Sequence, residues 1–307
     1  MANEFAERPE HSAEYFGDTR DHWWNPDYVE LLARRWRLAA ARDVLDVGSG
    51  VGHWGRLLAP FLAAGATITG VDREPAWVAQ ATARALRSES RVQFRYLVGD
   101  VMQLPFAAGS FDLVTCQTLL IHLGDPAAAL REMIRVARPG GLIAVAEPNN
   151  LSDALLTDAE TLAGPAEELL ARVRLQLVCE RGKAALGEGN NSVGERLPML
   201  FAAAGLEDVT VSLNDRASLM LAPYTSAAQR AEADELVDFA RREIGIWSRA
   251  DTLRYFVAGG GTEDEFVPLW TRALAWREAV AERVTAGTYG RAGGSITYCV
   301  AGRKRPA

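Results

Sequence analysis

The sequence predicts an α/β protein in which helices cover both faces of a mostly parallel sheet. Apolar segments typical of buried strands alternate with segments of helical periodicity up to about residue 150, which is the pattern of parallel sheets. The first strand, residues 44–47, runs directly into a glycine-rich turn, residues 48–52, and then a helix start. This order forms a cradle for a nucleotide-like ligand. With 307 residues, 49% of them hydrophobic, the chain can build a sizeable core.

The elements of the first half follow in order from their start and stop signals. Asn25 is a predicted N-cap, with Pro26 at the first helical position, and Asp125 with Pro126 starts a later helix in the same way. Residues 139–141, Pro-Gly-Gly, are expected to end that helix. The predicted strands are residues 44–47, 67–71, 92–98, 112–116 and 142–146.

The alternation stops after residue 150, where helical periodicity dominates. Residues 151–187 and 226–286 are predicted to be helical, while residues 209–213 and 295–301 add a sixth and a last strand, which gives seven. One apolar stripe is expected to pack in a core and consists of Phe266, Leu269, Ala273, Trp276, Val280 and Val284. The predicted parts are an N-terminal lid and helix (1–40), a ligand-binding α/β core (41–150), a helical insertion (151–195), a last core helix with the sixth strand (196–214), a helical substrate-cap insertion (215–290), and a final strand and tail (291–307).

Composition argues against several classes of partner. The formal net charge is −7 without a compensating basic tract, which argues against nucleic acid. Cys116, Cys179 and Cys299 are too widely spaced for a zinc site or a disulfide framework. No apolar run approaches the ~20 residues of a membrane helix, and the N-terminus lacks a signal-peptide core. We expect a soluble cytoplasmic protein that binds a small molecule, no metal and no membrane, either as a monomer or as a homodimer.

The N-terminal segment, residues 15–24, is unusually aromatic. Trp23 and Trp24 have two interpretations. One is packing against the domain surface, which we favour for one of the two. The other is that the segment folds over the ligand as a lid.

Acidic residues at the strand ends indicate which ligand the cradle holds. Asp46 precedes the glycine turn, while Asp72 and Asp100 end the second and third strands. Because ligands of open parallel sheets bind at the carboxyl ends of the strands, we expect these side chains to surround the ligand. The acid after strand two can accept both hydroxyls of a ribose, and the acid after strand three can accept the exocyclic amine of adenine. Together with the glycine turn, they specify an adenosine.

The dinucleotide NAD is the alternative ligand. Residues 50–55 match the G-x-G-x-x-G fingerprint, and Asp72 follows at a suitable distance. However, Asp46 would place a negative charge beside a pyrophosphate-binding turn, and Asp100 has no obvious dinucleotide role. Both acids suit a ligand that has a positive charge and an amino acid end.

Five segments resemble, in order, the motifs of class I S-adenosylmethionine-dependent methyltransferases of the ubiquinone/menaquinone-biosynthesis type. They are Val-Leu-Asp-Val-Gly-Ser-Gly-Val-Gly at 44–52, Val-Asp at 71–72, and residues 99–106, 111–114 and 130–143. The resemblance extends to residues 197–213 and is weak over residues 151–190 and 214–290. It implies a Rossmann-like class I methyltransferase fold, S-adenosyl-L-methionine as cofactor and S-adenosyl-L-homocysteine as product.

The resemblance also implies roles for individual residues. Around the methionine part of the cofactor it places Gly48, Ser49, Gly50 and Gly52, with Asp46 near the amino group. Around the adenosine it places Asp72 on the ribose hydroxyls, Arg73 beside the adenine, Asp100 on the adenine amine, and Val101 with Met102 on the ring. Gln117 would border the sulfonium, and Tyr15 would reach the cofactor from the lid.

Such a cofactor implies methyl transfer by in-line displacement to an oxygen, nitrogen or carbon of a small molecule. The many Trp and Phe residues suggest that this molecule is apolar or aromatic. A hydroxyl acceptor needs a base. His122, five residues past Gln117, is the candidate catalytic residue, although packing or capping of the loop before Asp125 explains it equally well. Glu147 is the second candidate. Besides the NAD-dependent oxidoreductase, a non-catalytic cofactor-binding protein on the same scaffold is an alternative.

Overall fold

A seven-stranded sheet forms the centre of the computed structural model, which describes residues 18–306 except 88 and 156. The strands described are β1 (Asp43–Val47), β2 (Thr67–Asp72), β3 (Gln93–Val98), β4 (Phe111–Gln117), β5 (Ala137–Asn149), β6 (Glu207–Leu213), β7 (Ala217–Met220), β8 (Arg291–Gly294) and β9 (Ile296–Arg303). Their order in the sheet is β3-β2-β1-β4-β5-β9-β6, with β1 to β5 parallel and β9 antiparallel to both of its neighbours. The predicted fold class is therefore confirmed.

Eleven helices are described along residues 18–306. They are α1 (Pro26–Trp36), α2 (His53–Leu58), α3 (Pro75–Leu86), α4 (Pro126–Val136), α5 (Asn150–Asp153), α6 (Ala159–Ala163), α7 (Ala166–Ala185), α8 (Leu197–Ala203), α9 (Ala227–Arg241), α10 (Arg249–Ala258) and α11 (Glu263–Thr285). Asp125 caps α4 as expected, since its side chain accepts the N–H of Ala128 at 2.9 Å. None of these helices is both long and apolar enough to cross a membrane.

One local prediction from the sequence was wrong, and one pair of strands was not predicted. Residues 139–141 do not end a helix, because α4 already ends at Val136 and these residues lie inside the long strand β5. The separate antiparallel pair formed by β7 and β8 was not predicted from the sequence. Each of these strands has only four residues, and β8 contains two glycines, so neither carries the alternation by which strands are recognised.

Two apolar clusters cover the two faces of the sheet. Successive residues of β1 alternate between them, Val44 belonging to one cluster and Leu45 to the other. An aromatic group dominates the first cluster, where the ring of Trp24 lies 5.2 Å from that of Trp54. The indole N–H of Trp54 donates to the Thr115 hydroxyl of β4 at 2.8 Å. Trp24 is therefore the tryptophan that packs on the domain, whereas Trp23 is only partly buried.

The helices inserted after β5 and β6 have cores of their own. The predicted apolar stripe of α11 does pack inward, its first half beside α7 and α10 and its second half beside α9 and β7. Helices α7 and α10 approach so closely that only glycine fits at the contact. A Cβ on Gly182 would lie 1.7 Å from the carbonyl oxygen of Tyr255, and one on Gly259 would lie 2.0 Å from that of Val178.

We predict that Gly182→Ala lowers the free energy of unfolding by about 1–3 kcal/mol, the usual cost of overpacking, because a methyl group must push α7 and α10 apart. Chemical denaturation of both proteins measures this. Gly164→Ala is the matched control, since its Cβ would have ordinary contacts at 3.4 Å. Equal effects of the two substitutions would show that the glycine contact does not determine the packing of these helices.

Candidate functional site

The carboxyl ends of β1 to β4 surround a cavity of about 530 Å³. They meet there because β1 lies between β2 and β4 in a parallel sheet. The residues predicted from the sequence that line it are Gly48, Ser49, Gly50, Asp72, Arg73, Asp100, Val101, Met102, Gln117 and His122. Asp46 and Gly52 do not line it, and Tyr15 lies outside the described residues.

The glycine turn presents its backbone to this cavity. Gly50 is buried and has a φ of 50°, yet no atom lies within 4 Å of the position a Cβ would take. Its open side therefore faces the cavity, which leaves room for a ligand to approach the backbone. The buried hydroxyl of Ser49 has no hydrogen-bond partner among the described residues. This turn fits the methionine end of the expected cofactor.

Gly52 lies behind the turn, against Tyr96 of β3. A Cβ on Gly52 would lie 2.4 Å from the phenol oxygen of Tyr96. Its φ is 78°, a conformation that residues with a side chain rarely adopt. Gly52 therefore allows the turn to pack over Tyr96 of β3 and does not form part of the cavity wall.

Asp72 connects the end of β2 to the glycine turn. Its Oδ2 accepts the N–H of Gly50 at 2.8 Å, and its Oδ1 accepts the N–H of Glu74 at 3.0 Å. Each carboxylate oxygen retains a second lone pair for a further donor. Since the buried carboxylate also lines the cavity, it can accept ribose hydroxyls there.

Asp100 shapes the next part of the wall in the same way. Its Oδ1 accepts the N–H of Met102 at 2.9 Å, which turns the chain after β3 so that Val101 and Met102 face the cavity. An acid beside two apolar side chains suits a heteroaromatic ring with an amino group at its edge. The geometry is therefore compatible with the adenine role implied by the family resemblance.

Asp46 lies beneath the turn and not on the cavity wall. Its Oδ2 accepts the N–H of Gly55 in α2 at 3.0 Å, while its Oδ1 is buried without a partner among the described residues. Burial raises the pKa of Asp46 to about 7. Its contribution is to hold the start of α2 against β1, and this position does not support direct contact with an amino group of the ligand.

Glu147 likewise holds backbone. It is completely buried, and it accepts the N–H groups of Leu119 and Leu120, both at 2.9 Å, and that of Ile121 at 3.3 Å. Burial raises its pKa to about 7. Because Glu147 does not line this cavity, its position fits a support of the loop after β4, not a base. His122, at the end of that loop, lies on the cavity wall.

A second cavity of about 270 Å³ adjoins the first, and we call it the inner cavity. The two share three wall residues, Trp23, Gln117 and Thr118. Thr118 has a φ of 50°, an outlier for a β-branched residue, and such strain is concentrated at functional sites. Its N–H donates to the carbonyl of Ala146 at 3.0 Å, which holds this conformation.

The inner cavity contains charged groups that sequence analysis missed. They are Asp153 of α5, Arg216 before β7, Glu232 and Glu235 of α9, and Arg291 of β8. These residues come from four separate segments, so no local sequence motif predicts them. Arg291 forms an ion pair with Glu232, whose other oxygen accepts the hydroxyl of Ser218. Burial raises the pKa of Asp153 to about 7.

The outer wall of the first cavity comes from the inserted helices. Lys183 of α7 is buried, and its Nζ donates to the carbonyl of Ile121 at 3.1 Å and to the side chain of Asn191. Burial lowers the pKa of Lys183 to about 8. Tyr255 of α10 lines the same wall and donates its hydroxyl to Glu188 at 2.7 Å. No cluster of metal-ligating side chains occurs in the described part of the chain.

Comparison with known proteins gives results that agree with this geometry. A family model described as a methyltransferase domain matches residues 45–145. The ubiquinone biosynthesis O-methyltransferase of Xanthomonas oryzae pv. oryzae (strain PXO99A) is 31% identical over 216 residues, which are 70% of this chain and 81% of the relative. The methyltransferase GfsG of Streptomyces halstedii is 41% identical over 121 residues, 39% of this chain and 42% of that protein.

Among solved structures, the cyclase SpnF shares the fold with a TM-score of 0.51 at 22% identity, and the match covers 92% of this chain and 81% of SpnF. The dinucleotide alternative is not favoured, because the matching family and relatives are methyltransferases. With the expected fold and a match that extends over four fifths of a relative, the chain belongs to the class I S-adenosylmethionine-dependent methyltransferases, enzymes that use S-adenosyl-L-methionine as methyl donor.

Proposed function

We propose that this enzyme methylates a hydroxyl oxygen of a small molecule held in the inner cavity. The observation that carries this proposal is the shared wall, since Trp23, Gln117 and Thr118 line both cavities. A methyl donor in the first cavity and an acceptor in the inner cavity would meet at these three residues. The Xanthomonas relative is named an O-methyltransferase, which supports oxygen as the nucleophile.

The division of the chain follows from the same proposal. The core up to residue 150 provides the cofactor cradle, and the insertion 215–290 provides most of the charged wall of the inner cavity. The insertion 151–195 covers the outer side of the cofactor. In this arrangement Trp23 of the N-terminal segment closes the junction, which is the role of a lid, and offers an aromatic face to the acceptor.

The bound cofactor supplies a methyl group activated on a sulfonium, and the chain's own residues align and enclose the reactants. Alignment of two reactants in a closed site contributes up to about 7–11 kcal/mol to catalysis. The cradle of Asp72, Gly50 and Asp100 fixes the donor, whereas Thr118 and Trp23 fix the approach of the acceptor.

We infer that Asp153 accepts the proton of the acceptor hydroxyl. It lines the inner cavity, whereas His122, the base expected from the sequence, lies on the cofactor side. The raised pKa of Asp153, about 7, suits proton transfer near neutral pH, because a base works best when its pKa is close to the operating pH. Arg291 in the same cavity stabilises its charged form.

Replacement of Asp72 by alanine tests the cofactor cradle. We expect Asp72→Ala to weaken S-adenosyl-L-homocysteine binding at least tenfold, because hydrogen bonds to a charged group contribute about 1.5–3 kcal/mol each and the Gly50 turn also loses its support. Isothermal calorimetry measures the dissociation constant. The exposed Asp264→Ala is the control. Unchanged affinity of Asp72→Ala would mean that the ribose lies elsewhere.

Filling the inner cavity tests the location of the acceptor. Ala228 of α9 lines this cavity, while its neighbour Ala227 is exposed. Ala228→Trp should abolish methyl transfer from labelled S-adenosyl-L-methionine to hydroxylated acceptors, yet leave S-adenosyl-L-homocysteine affinity within about twofold. Ala227→Trp should change neither quantity. Full turnover in Ala228→Trp would place the acceptor outside the inner cavity.

The pH dependence of the reaction tests the base. Below its pKa the Asp153 carboxyl holds a proton and cannot accept another, so kcat/KM should rise with pH and reach half of its limiting value near pH 7. Asp153→Asn should remove this dependence and lower kcat by about 10²-fold or more. If the dependence persists in Asp153→Asn and disappears in His122→Ala, the base is His122.

A further inference from the structure

Arg216 is a charged side chain of the inner cavity that forms no hydrogen bond or ion pair with any residue in the described part of the chain. It is half-buried, and Glu232 acts on it only through a longer-range charge interaction. Burial lowers its pKa, but a guanidinium stays charged at neutral pH. An unpaired cation in a cavity costs desolvation free energy, and a bound anion would offset that cost.

The backbone on both sides of Arg216 is fixed without any ligand. The N–H of Asn214 donates to the carbonyl of Thr297 at 3.0 Å, and the N–H of Thr297 donates to Asn214 Oδ1 at 2.8 Å. On the other side, β7 starts at Ala217, which pairs with Gly294 of β8. A Cβ on Gly294 would lie 2.8 Å from the Arg216 carbonyl oxygen, so the chains are in close contact there. The guanidinium therefore extends from a rigid base.

Each of the cavity's carboxylates, unlike Arg216, accepts a hydrogen bond from a described residue. Glu232 is paired with Arg291 and Ser218. Glu235 accepts the hydroxyl of Thr19 at 2.6 Å. Asp153 accepts a long hydrogen bond of 3.5 Å from the hydroxyl of Ser152 and is the proposed base. Arg216 is thus the charged group of this cavity that has no direct partner among the described residues, which leaves its guanidinium available to an anionic group of the acceptor.

We propose that the acceptor carries a carboxylate and that Arg216 determines this specificity by pairing with it. The proposal rests on the proposed function, because it assigns a substrate class to the same cavity. A planar guanidinium matches a carboxylate with two parallel hydrogen bonds. A phosphate dianion would need a second free cation, whereas Arg291 is engaged by Glu232. A cavity of about 270 Å³ holds a compact hydroxy acid, such as one ring with a hydroxyl and a carboxylate.

Matched neutral and charged probes test this proposal. We would titrate 3-hydroxybenzoate and 3-hydroxybenzamide into the enzyme saturated with S-adenosyl-L-homocysteine, and follow binding by ligand-observed NMR. In the wild type, the acid should bind at least tenfold more tightly than the amide. Arg216→Gln should lose this preference, Arg216→Lys should retain part of it because the charge remains, and the exposed Arg181→Gln should retain all of it.

Equal binding of the two probes to the wild type, absence of binding by the acid, or a preference that persists in Arg216→Gln would each overturn the proposal. Thermal unfolding shows whether each variant is folded. Calorimetric titration of the same samples with S-adenosyl-L-homocysteine reports on the cofactor site alone. A failure of the cofactor assignment would thus appear in the calorimetry, a failure of the proposed acceptor location would appear as full turnover in Ala228→Trp, and a failure of the carboxylate site would appear in the probe titrations.

Discussion

The hydrogen bond from the N–H of Gly50 to the carboxylate of Asp72 is the interaction on which the rest of the site depends. It joins the turn after β1 to the end of β2, and the second oxygen of Asp72 holds the chain that leads into α3. A glycine turn without this support would lose its shape, because Gly50 has a positive φ and much conformational freedom. The N–H of Gly50 points to the Asp72 carboxylate, and the side of Gly50 that lacks a Cβ faces the open cavity.

Other carboxylates also accept backbone N–H groups at successive strand ends. Asp46 holds the start of α2, Asp100 holds the turn at Met102, and Glu147 holds three N–H groups of the loop after β4. The wall of the cofactor cavity is therefore arranged before a ligand arrives, which reduces the ordering cost of binding. Asp46 and Glu147 act through the backbone they hold, since neither reaches the cavity, while Asp72 and Asp100 both hold backbone and line the cavity.

Short local motifs in the sequence predicted residues that line the first cavity, such as Asp72 and Asp100, whereas the charged residues of the inner cavity were not predicted, for a physical reason. The cofactor cradle consists of short segments in which a strand, a turn and an acid follow one another, so spacing alone places Asp72 and Asp100. The inner cavity brings Asp153, Arg216 and Glu232 together from distant segments through the inserted helices and the β7–β8 pair, which have no local signature. The distance from Gln117 along the chain predicts His122 as the base, yet the turn after β4 directs His122 to the cofactor side.

The same contrast explains how the chain separates its two tasks. Backbone groups and strand-end acids of the core form one side of the cofactor cavity and the inserted helices form its outer wall, whereas the charged side chains of the inner cavity come mostly from residues 215–290. Substitutions in the insertions can therefore alter the acceptor's surroundings without loosening the turn held by Asp72. Thr118 lies on the wall between the two cavities. Its strained φ of 50° costs about 1–3 kcal/mol of folding free energy. The hydrogen bond to Ala146 and the loop held by Glu147 offset this cost. The strained conformation places Thr118 on the wall that the two cavities share, beside Trp23 and Gln117.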